Sequence, residues 1–329
     1  MSILVTGGAG YIGSHAVKGL LDKDYEVVVF DNLETGYLQA VDKRAKFYKG
    51  DIRNMDSLEA MFEKEDIEGV IHFAANSLVG ESMSNPLKYF DNNVYGTQVL
   101  LKAMLKHKVK HIVFSSTAAT YGEPVRVPID EEHPTSPINA YGEAKLMMEK
   151  VISWTAFAHD LTYVSLRYFN VAGAHPSGEI GESHNPETHL IPIILQVPLG
   201  KREKLSVFGD DYETKDGTCI RDYIHIEDLV DAHIRALEHL IKGGKSDIFN
   251  LGSGDGYSIY EMIEAAKSAT GEDIAYEIAD RRAGDPAVLI ASNSKAKEVL
   301  GWSPKFTKVE EIISSAWKFH KKFPDGFKE

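Results

Sequence analysis

The first thirteen residues constrain this chain more than any other segment. The apolar run ILVT leads directly into GGAGYIG, where Gly8, Gly10 and Gly13 fit G-x-G-x-x-G and Gly7, Gly10 and Gly13 fit G-x-x-G-x-x-G. A glycine-lined turn between strand and helix lets the backbone approach a pyrophosphate, which then rests on N–H groups at the helix N-terminus. A second apolar run, EVVVF, ends in Asp31, eighteen residues past Gly13. A carboxylate there accepts hydrogen bonds from a ribose diol and repels a 2′-phosphate, which favours NAD over NADP. Asp51, after FYKG, either serves the adenine amino group or caps a turn, and HFAA (72–75) ends a further strand. Ligands of open α/β sheets gather at such strand ends.

The pattern that begins here continues. Ser2–Thr6, Glu26–Phe30, Gly69–Phe73, Ile112–Ser116 and Tyr163–Arg167 read as short strands rich in Val, Ile and Phe, as strands covered on both faces should be. Between them Ile12–Lys23, Met55–Lys64, Pro86–Lys106 and Tyr141–His159 carry helical periodicity, the third with Ser84 or Asn85 as its cap and Pro86 in its first turn. Alternation of this kind predicts an α/β fold, a doubly wound Rossmann-type parallel sheet. After about residue 170 the rhythm breaks into Gly-, Pro- and Asn-rich loops. The expected division is a dinucleotide-binding domain over 1–170 and a smaller, mixed substrate domain over 171–329, with 224–240 able to return to the first.

The remaining composition excludes other classes. The 36 basic residues against 49 acidic ones leave a formal charge of −13, without a dense Lys/Arg stripe, which excludes nucleic acid as the main partner. No run of 18 apolar residues suggests a membrane span, and the chain opens on ILVTG rather than on a charged leader. Cys219 is the single cysteine, so no internal disulfide forms and a reducing, cytoplasmic setting is expected.

Chemistry enters at Ser115-Ser116-Thr117, which follows the strand IVF, and at Tyr141-Gly-Glu-Ala-Lys145, twenty-four residues beyond Thr117. Tyr141 and Lys145, four apart, share one helix face. An ordinary phenol has a pKa of about 10 and is a poor base at neutral pH. A neighbouring ammonium and a positive nicotinamide favour the phenolate. Lowering that pKa by about three units takes about 4 kcal/mol, attainable only in a partly desolvated site.

TGGAGYIG, the strand ending in Asp31, HFAA, DNNVYGT, SST and YGEAK together resemble the extended short-chain dehydrogenase/reductase superfamily. With RYFNVAGAHPSG, DYETKDGTCIRDYIH, FNLGSG and RRAGDPA, the chain resembles the UDP-glucose 4-epimerases of that superfamily from Ile3 to about Trp302. The resemblance implies C4 epimerisation of UDP-glucose and UDP-galactose, in galactose metabolism, through a 4-keto sugar with tightly bound NAD. It implies Thr117 as the substrate-hydroxyl partner, Tyr141 as base and acid, and Lys145 as phenolate stabiliser. For NAD it implies the glycine loop with Tyr11 and Ile12, then Asp31, Asn32, Asp51, Ile52, Phe73, Ala74, Asn92 and Phe169, besides Tyr141 and Lys145. For the UDP-sugar it implies Thr117, Asn170, Leu190, Val207, Phe208, Arg221, Arg282 and Asp285. Arg221 and Arg282 also stand in Gly- and Asp-flanked, loop-like contexts, where guanidinium forks suit a diphosphate. Leu289 stands where the family places a residue beside the sugar 2-substituent; a leucine there leaves room for an N-acetyl group. Two positions depart from the pattern: Ser77, where some relatives carry lysine, and His189, where some carry asparagine.

Two other functions share the fold. A nucleotide-sugar 4,6-dehydratase needs an acid and a base directly after the strand-end threonine, and here Ala118 and Ala119 follow Thr117. A non-catalytic dinucleotide sensor has no use for Tyr141 with Lys145. No metal site is expected, because His107 and His111 flank a break in periodicity and His175, His184 and His189 are irregularly spaced in a loop. The segment 141–159 is apolar nearly all round, including Leu146, Met147, Trp154 and Phe157, so it and 89–106 predict a homodimer.

Overall fold

The computed structural model of the protein describes residues 1–282 and 285–328; Ala283 and Gly284 of the RRAGDPA motif lie outside the described residues. The chain forms two compact units. The first contains residues 1–122, 134–167 and 230–249, and the second residues 123–133, 168–229 and 250–329.

The backbone of the first unit is a seven-stranded sheet in the order Asp247–Leu251, Thr162–Tyr168, His111–Ser115, Ile67–His72, Ser2–Thr6, Glu26–Asp31, Lys46–Lys49. Ser2–Thr6 pairs in parallel with Glu26–Asp31 on one side, Leu4 opposite Val28, and with Ile67–His72 on the other. The chain order reverses at this central strand, the switch point where open α/β sheets bind ligands. The expected strands appear within one or two residues of their expected ends.

Leu4, Val28, Val70, Ile112 and Phe114 on the strands pack with Leu58, Met61, Leu100 and Met104 of covering helices in one buried cluster. Each such side chain contributes about 1.5–3 kcal/mol when fully buried. Local chemistry sets the helix ends. Asn54 caps Met55–Phe62 by accepting from the Ser57 N–H at 3.0 Å, and Asn139 caps Ala140–Ala158 by accepting from Gly142 at 2.8 Å. Such a cap is worth about 1 kcal/mol.

The helix expected over 86–106 differs from a regular one. It runs as an α-turn over Pro86–Tyr89, a π-helical stretch over Phe90–Tyr95, and an α-helix over Gly96–Lys106. Asn85 precedes Pro86 at its start without a side-chain cap.

The second unit has short sheets and its own core. Leu205–Phe208 pairs with Tyr276–Ala279, and Ile220–Arg221 lies between Tyr257–Ser258 and Val288–Leu289. Ile191, Leu195, Val207, Met262, Ile263, Ile312, Ile313 and Trp317 form its interior. The Ile259–Thr270 helix starts at a capping box, Ser258 with Glu261, and stops at Gly271, whose φ of 75° suits glycine. Among the described residues no helix is long and apolar enough to cross a membrane.

Candidate active site

The glycine loop leaves the end of the Ser2–Thr6 strand at the switch point. Gly7 has φ +74°, and a Cβ there would lie 2.6 Å from the Ala74 backbone nitrogen; a Cβ on Gly13 would lie 2.0 Å from the Gly7 carbonyl oxygen. Packing alone therefore requires those two glycines. Gly10 is different. Its φ is −79°, and a Cβ there would meet nothing nearer than the Gly7 oxygen at 3.4 Å. The space beside Gly10, at the N-cap of the Tyr11–Leu21 helix, is thus left clear by the sequence rather than by the fold, and it suits a pyrophosphate on the helix N-terminus.

Asp31, buried at the next strand end, accepts from the Ala9 N–H at 3.0 Å and the Leu33 N–H at 2.8 Å. Burial raises its pKa, and the two backbone donors oppose the rise. A carboxylate so placed retains lone pairs for a ribose diol, so the loop and Asp31 fit NAD. The other expected cofactor residues in this unit lie nearby in the fold. Phe73 and Ala74 both donate backbone N–H bonds to the Thr6 oxygen, and Asn32 reaches Asp51 at 3.5 Å. Ile52 packs so closely on Gly96 that a Cβ there would meet it at 2.6 Å. Asn92 is buried on the π-helical stretch and donates to Asn93. Asp51 is held by Arg53 through bonds of 2.9 and 2.6 Å, and that pairing lowers its pKa. Phe169 belongs to the second unit.

The Thr117, Tyr141 and Lys145 side chains are all buried in the first unit. Thr117 lies two residues past the His111–Ser115 strand in extended conformation, and its hydroxyl oxygen accepts from the Ala119 N–H at 3.1 Å. The Ala118–Thr120 turn meets the start of the Tyr141 helix through Gly142, where a Cβ would lie 2.5 Å from the Ala119 oxygen. The glycine of YGEAK thus permits the approach of the Thr117 turn to the Tyr141 helix. Ser82 Oγ accepts from the Tyr141 N–H at 3.1 Å.

Lys145 Nζ donates to the Ser115 carbonyl at 2.7 Å and lies 5.9 Å from the Tyr141 ring centroid and 4.9 Å from that of Phe114. Burial lowers its pKa to about 7, against the opposing charge of Glu149.

Glu149 is a residue the sequence reading missed. It is buried and accepts from Arg167 at 2.9 and 2.5 Å and from Ser116 Oγ at 2.5 Å. Tyr141, Lys145 and Glu149 repeat every four residues along one face, the spacing that could have revealed it. His72 is a second omission: it bridges Thr6 and Thr97 at 2.7 and 3.0 Å, and burial with the Lys145 charge lowers its pKa to about 3.

In the second unit, Arg221 Nη2 pairs with Asp285 at 2.5 Å, and the Arg282 guanidinium stacks 3.9 Å from the Phe208 ring centroid. Leu289 is the register partner of Arg221. Asn170 donates its side-chain amide to the Asp222 carbonyl at 3.1 Å, whereas Val207 is buried in the core. Leu190 opens the Leu190–Gln196 helix, with His189 as its N-cap residue.

The loop before that helix also folds back on itself. It brings Glu182, His184, Glu187 and His189 together, with one potential ligand atom from each within 4.8 Å of the others. Irregular spacing along the chain gave no hint of this.

Comparison with known proteins places these features in context. Residues 3–252 match the model of the NAD dependent epimerase/dehydratase family. A UDP-glucose 4-epimerase of Halalkalibacterium halodurans is 58% identical over 327 residues, covering 99% of this chain and 98% of that protein. The crystal structure of a UDP-glucose 4-epimerase at 56% identity superimposes with a TM-score of 0.99 and covers all of both chains. The enzyme of that name from Bifidobacterium longum, solved in complex with NAD+ and UDP, is 41% identical with a TM-score of 0.93, covering 99% of this chain and all of its own.

Proposed function

The chain belongs to the NAD dependent epimerase/dehydratase family, and from that premise we propose that it interconverts UDP-glucose and UDP-galactose by inverting C4. The observation that carries this reading is the buried set Thr117, Tyr141 and Lys145 at a strand end and on a helix of the sheet that holds the glycine loop. Bound NAD supplies the acceptor, and then the donor, of the C4 hydride.

The chain's own residues manage the proton and the substrate. Tyr141 takes the proton from the sugar 4-hydroxyl and returns it after the 4-keto sugar has presented its other face. Thr117 hydrogen-bonds that hydroxyl. The Lys145 ammonium stabilises the Tyr141 phenolate, and each charge raises the population of the other in a site screened from water. The Glu149 carboxylate favours the charged form of Lys145.

Arg221, Arg282, Phe208, Asp285, Asn170, Leu190 and Val207 serve the UDP. Guanidinium forks grip a diphosphate without touching the hexose, so the sugar is free to turn while its handle stays bound. Ala118 and Ala119 offer no proton donor or acceptor, which argues against elimination of water from the sugar. Leu289 beside Arg221 supports some activity on the N-acetylated pair, because an apolar wall discriminates an added group by only about 1–3 kcal/mol.

A homodimer is supported by Trp154 and Phe157, which are 69% and 83% exposed on a helix whose opposite stripe, Met148 and Ile152, is buried. The lone Cys219 suits a reducing cytoplasm. Light scattering should return twice the chain mass; the chain mass alone would remove the dimer. For the reaction, purified protein supplied with UDP-galactose and no added NAD is expected to form UDP-glucose with no net NADH. Stoichiometric consumption of NAD+ would make it a dehydrogenase instead.

A further inference from the structure

The loop between the Asn170–Ala172 strand and the Leu190–Gln196 helix carries two imidazoles and two carboxylates at residues 182–189. Glu182 is 4% exposed, and its Oε1 lies 2.6 Å from His189 Nδ1 and 3.3 Å from His184 Nδ1. Among the described residues no contact to this buried oxygen has the alignment of a regular hydrogen bond. The 2.6 Å approach is that of an ion pair and widens when both atoms hold one ion.

Glu187 stands within comparable range of both imidazoles. Glu187 lies 3.7 Å from His184 Nδ1 through one oxygen and 3.5 Å from His189 Nδ1 through the other. A tetrahedral ion with bonds of about 2.0–2.1 Å separates its ligands by about 3.3 Å. Supporting contacts are already in place. Glu187 Oε1 accepts the backbone N–H groups of Thr188 and His189 at 2.8 and 2.9 Å, which fixes the carboxylate as outer contacts fix a metal ligand. The loop is anchored to the Val309–Lys322 helix, where a Cβ on Gly181 would lie 2.3 Å from Phe319 and where Lys322 pairs with Glu179.

We propose that Glu182, His184, Glu187 and His189 bind one divalent transition-metal ion of the zinc class, which clasps this loop at the start of the Leu190–Gln196 helix. Imidazole and carboxylate donors together suit zinc better than the hard cations, which take oxygen alone. The four protein ligands close the coordination shell, so the ion is structural and takes no part in the reaction at the sugar. Its effect is to hold Leu190 and the loop in one arrangement. The proposal stands independently of the epimerase reading.

The test uses tag-free full-length protein stripped with EDTA, titrated with zinc chloride, and passed over a desalting column before elemental analysis. About one zinc per chain is expected, with a rise of several degrees in Tm. Cobalt chloride should give visible d–d bands of tetrahedral intensity. Glu182→Gln and His184→Ala are each expected to weaken zinc binding by about 10-fold or more, while His175→Ala, outside the cluster, retains it. Less than about 0.1 zinc per chain with no Tm shift would overturn the proposal and leave a proton-bridged ion cluster. Undiminished binding in both cluster variants would overturn it too, by placing the zinc elsewhere. If those variants fail to fold, the wild-type stoichiometry and the cobalt spectrum decide.

Discussion

The candidate site residues of the two units differ in how deeply they are set. In the first, Asp31, His72, Thr117, Tyr141, Lys145 and Glu149 are buried and each makes hydrogen bonds within the unit. In the second, Arg221 and Val207 are also buried, but Asn170, Phe208, Asp285 and Leu289 are only half-buried and Arg282 is exposed, on short strands and loops. The difference matches the roles proposed for the two sets. Proton transfer needs groups whose pKa is set by a desolvated, unmoving environment. A grip on a diphosphate needs guanidinium charge, here one buried and paired with Asp285 (Arg221) and one exposed (Arg282). On the proposed function, the proton-handling groups are the buried set of the first unit, and the exposed Arg282 belongs to the nucleotide handle.

The sharpest way to break this contrast is to remove one group from each unit. Tyr141→Phe is expected to keep NAD and lose about 10²- to 10⁴-fold in kcat, the scale of general acid–base catalysis. Near-normal turnover would remove Tyr141 from the proton's path. Acid sensitivity extends the comparison to stability. His72 in the first unit and His225 in the second are buried, and their pKa values are lowered to about 3 and about 4. His225 stacks 4.0 Å from Phe306 and meets Ser315 at 3.0 Å. An unfolded histidine protonates near 6.5, whereas these remain neutral until the pH is much lower. The stability they contribute is complete above about pH 6.5 and lost as the pH falls toward 4, at roughly 1.4 kcal/mol per pH unit for each. Chemical denaturation between those pH values should show a shallower slope in His72→Gln and in His225→Gln. An unchanged slope in either would mean that histidine is not neutral in the fold.

A smaller effect belongs to the nucleotide handle. Arg282→Ala should raise KM for the UDP-sugar by about 10- to 100-fold with kcat and NAD content little changed. A fall in kcat at constant KM would place the arginine in the chemistry instead. Smallest is Leu289→Tyr, expected to shift the kcat/KM ratio between the plain and N-acetylated pairs by about 10-fold toward the plain pair. If the ratio stays put, Leu289 does not line the sugar pocket.

Short-range features were legible in the amino-acid sequence. The glycine loop, the Asp31 strand end, the four-residue spacing of Tyr141 and Lys145, and the alternation that makes a parallel sheet all depend on turn chemistry and periodicity within about twenty residues. The Pro86–Lys106 segment was legible as a helix but not as one interrupted by a π-helical stretch. Such a turn depends on packing against neighbouring elements rather than on local propensity.

What only the tertiary structure decided are the encounters between distant residues. Arg167 reaches Glu149 across 18 positions and Arg221 reaches Asp285 across 64. Gly142 proves to be the point where the Tyr141 helix meets the Thr117 turn. Two histidines and two glutamates with no regular spacing converge because the loop carrying them closes on itself. Periodicity assigns a residue to a face, but which faces meet depends on loop closure and on the packing of the whole core. Those are collective properties that no short window of sequence contains.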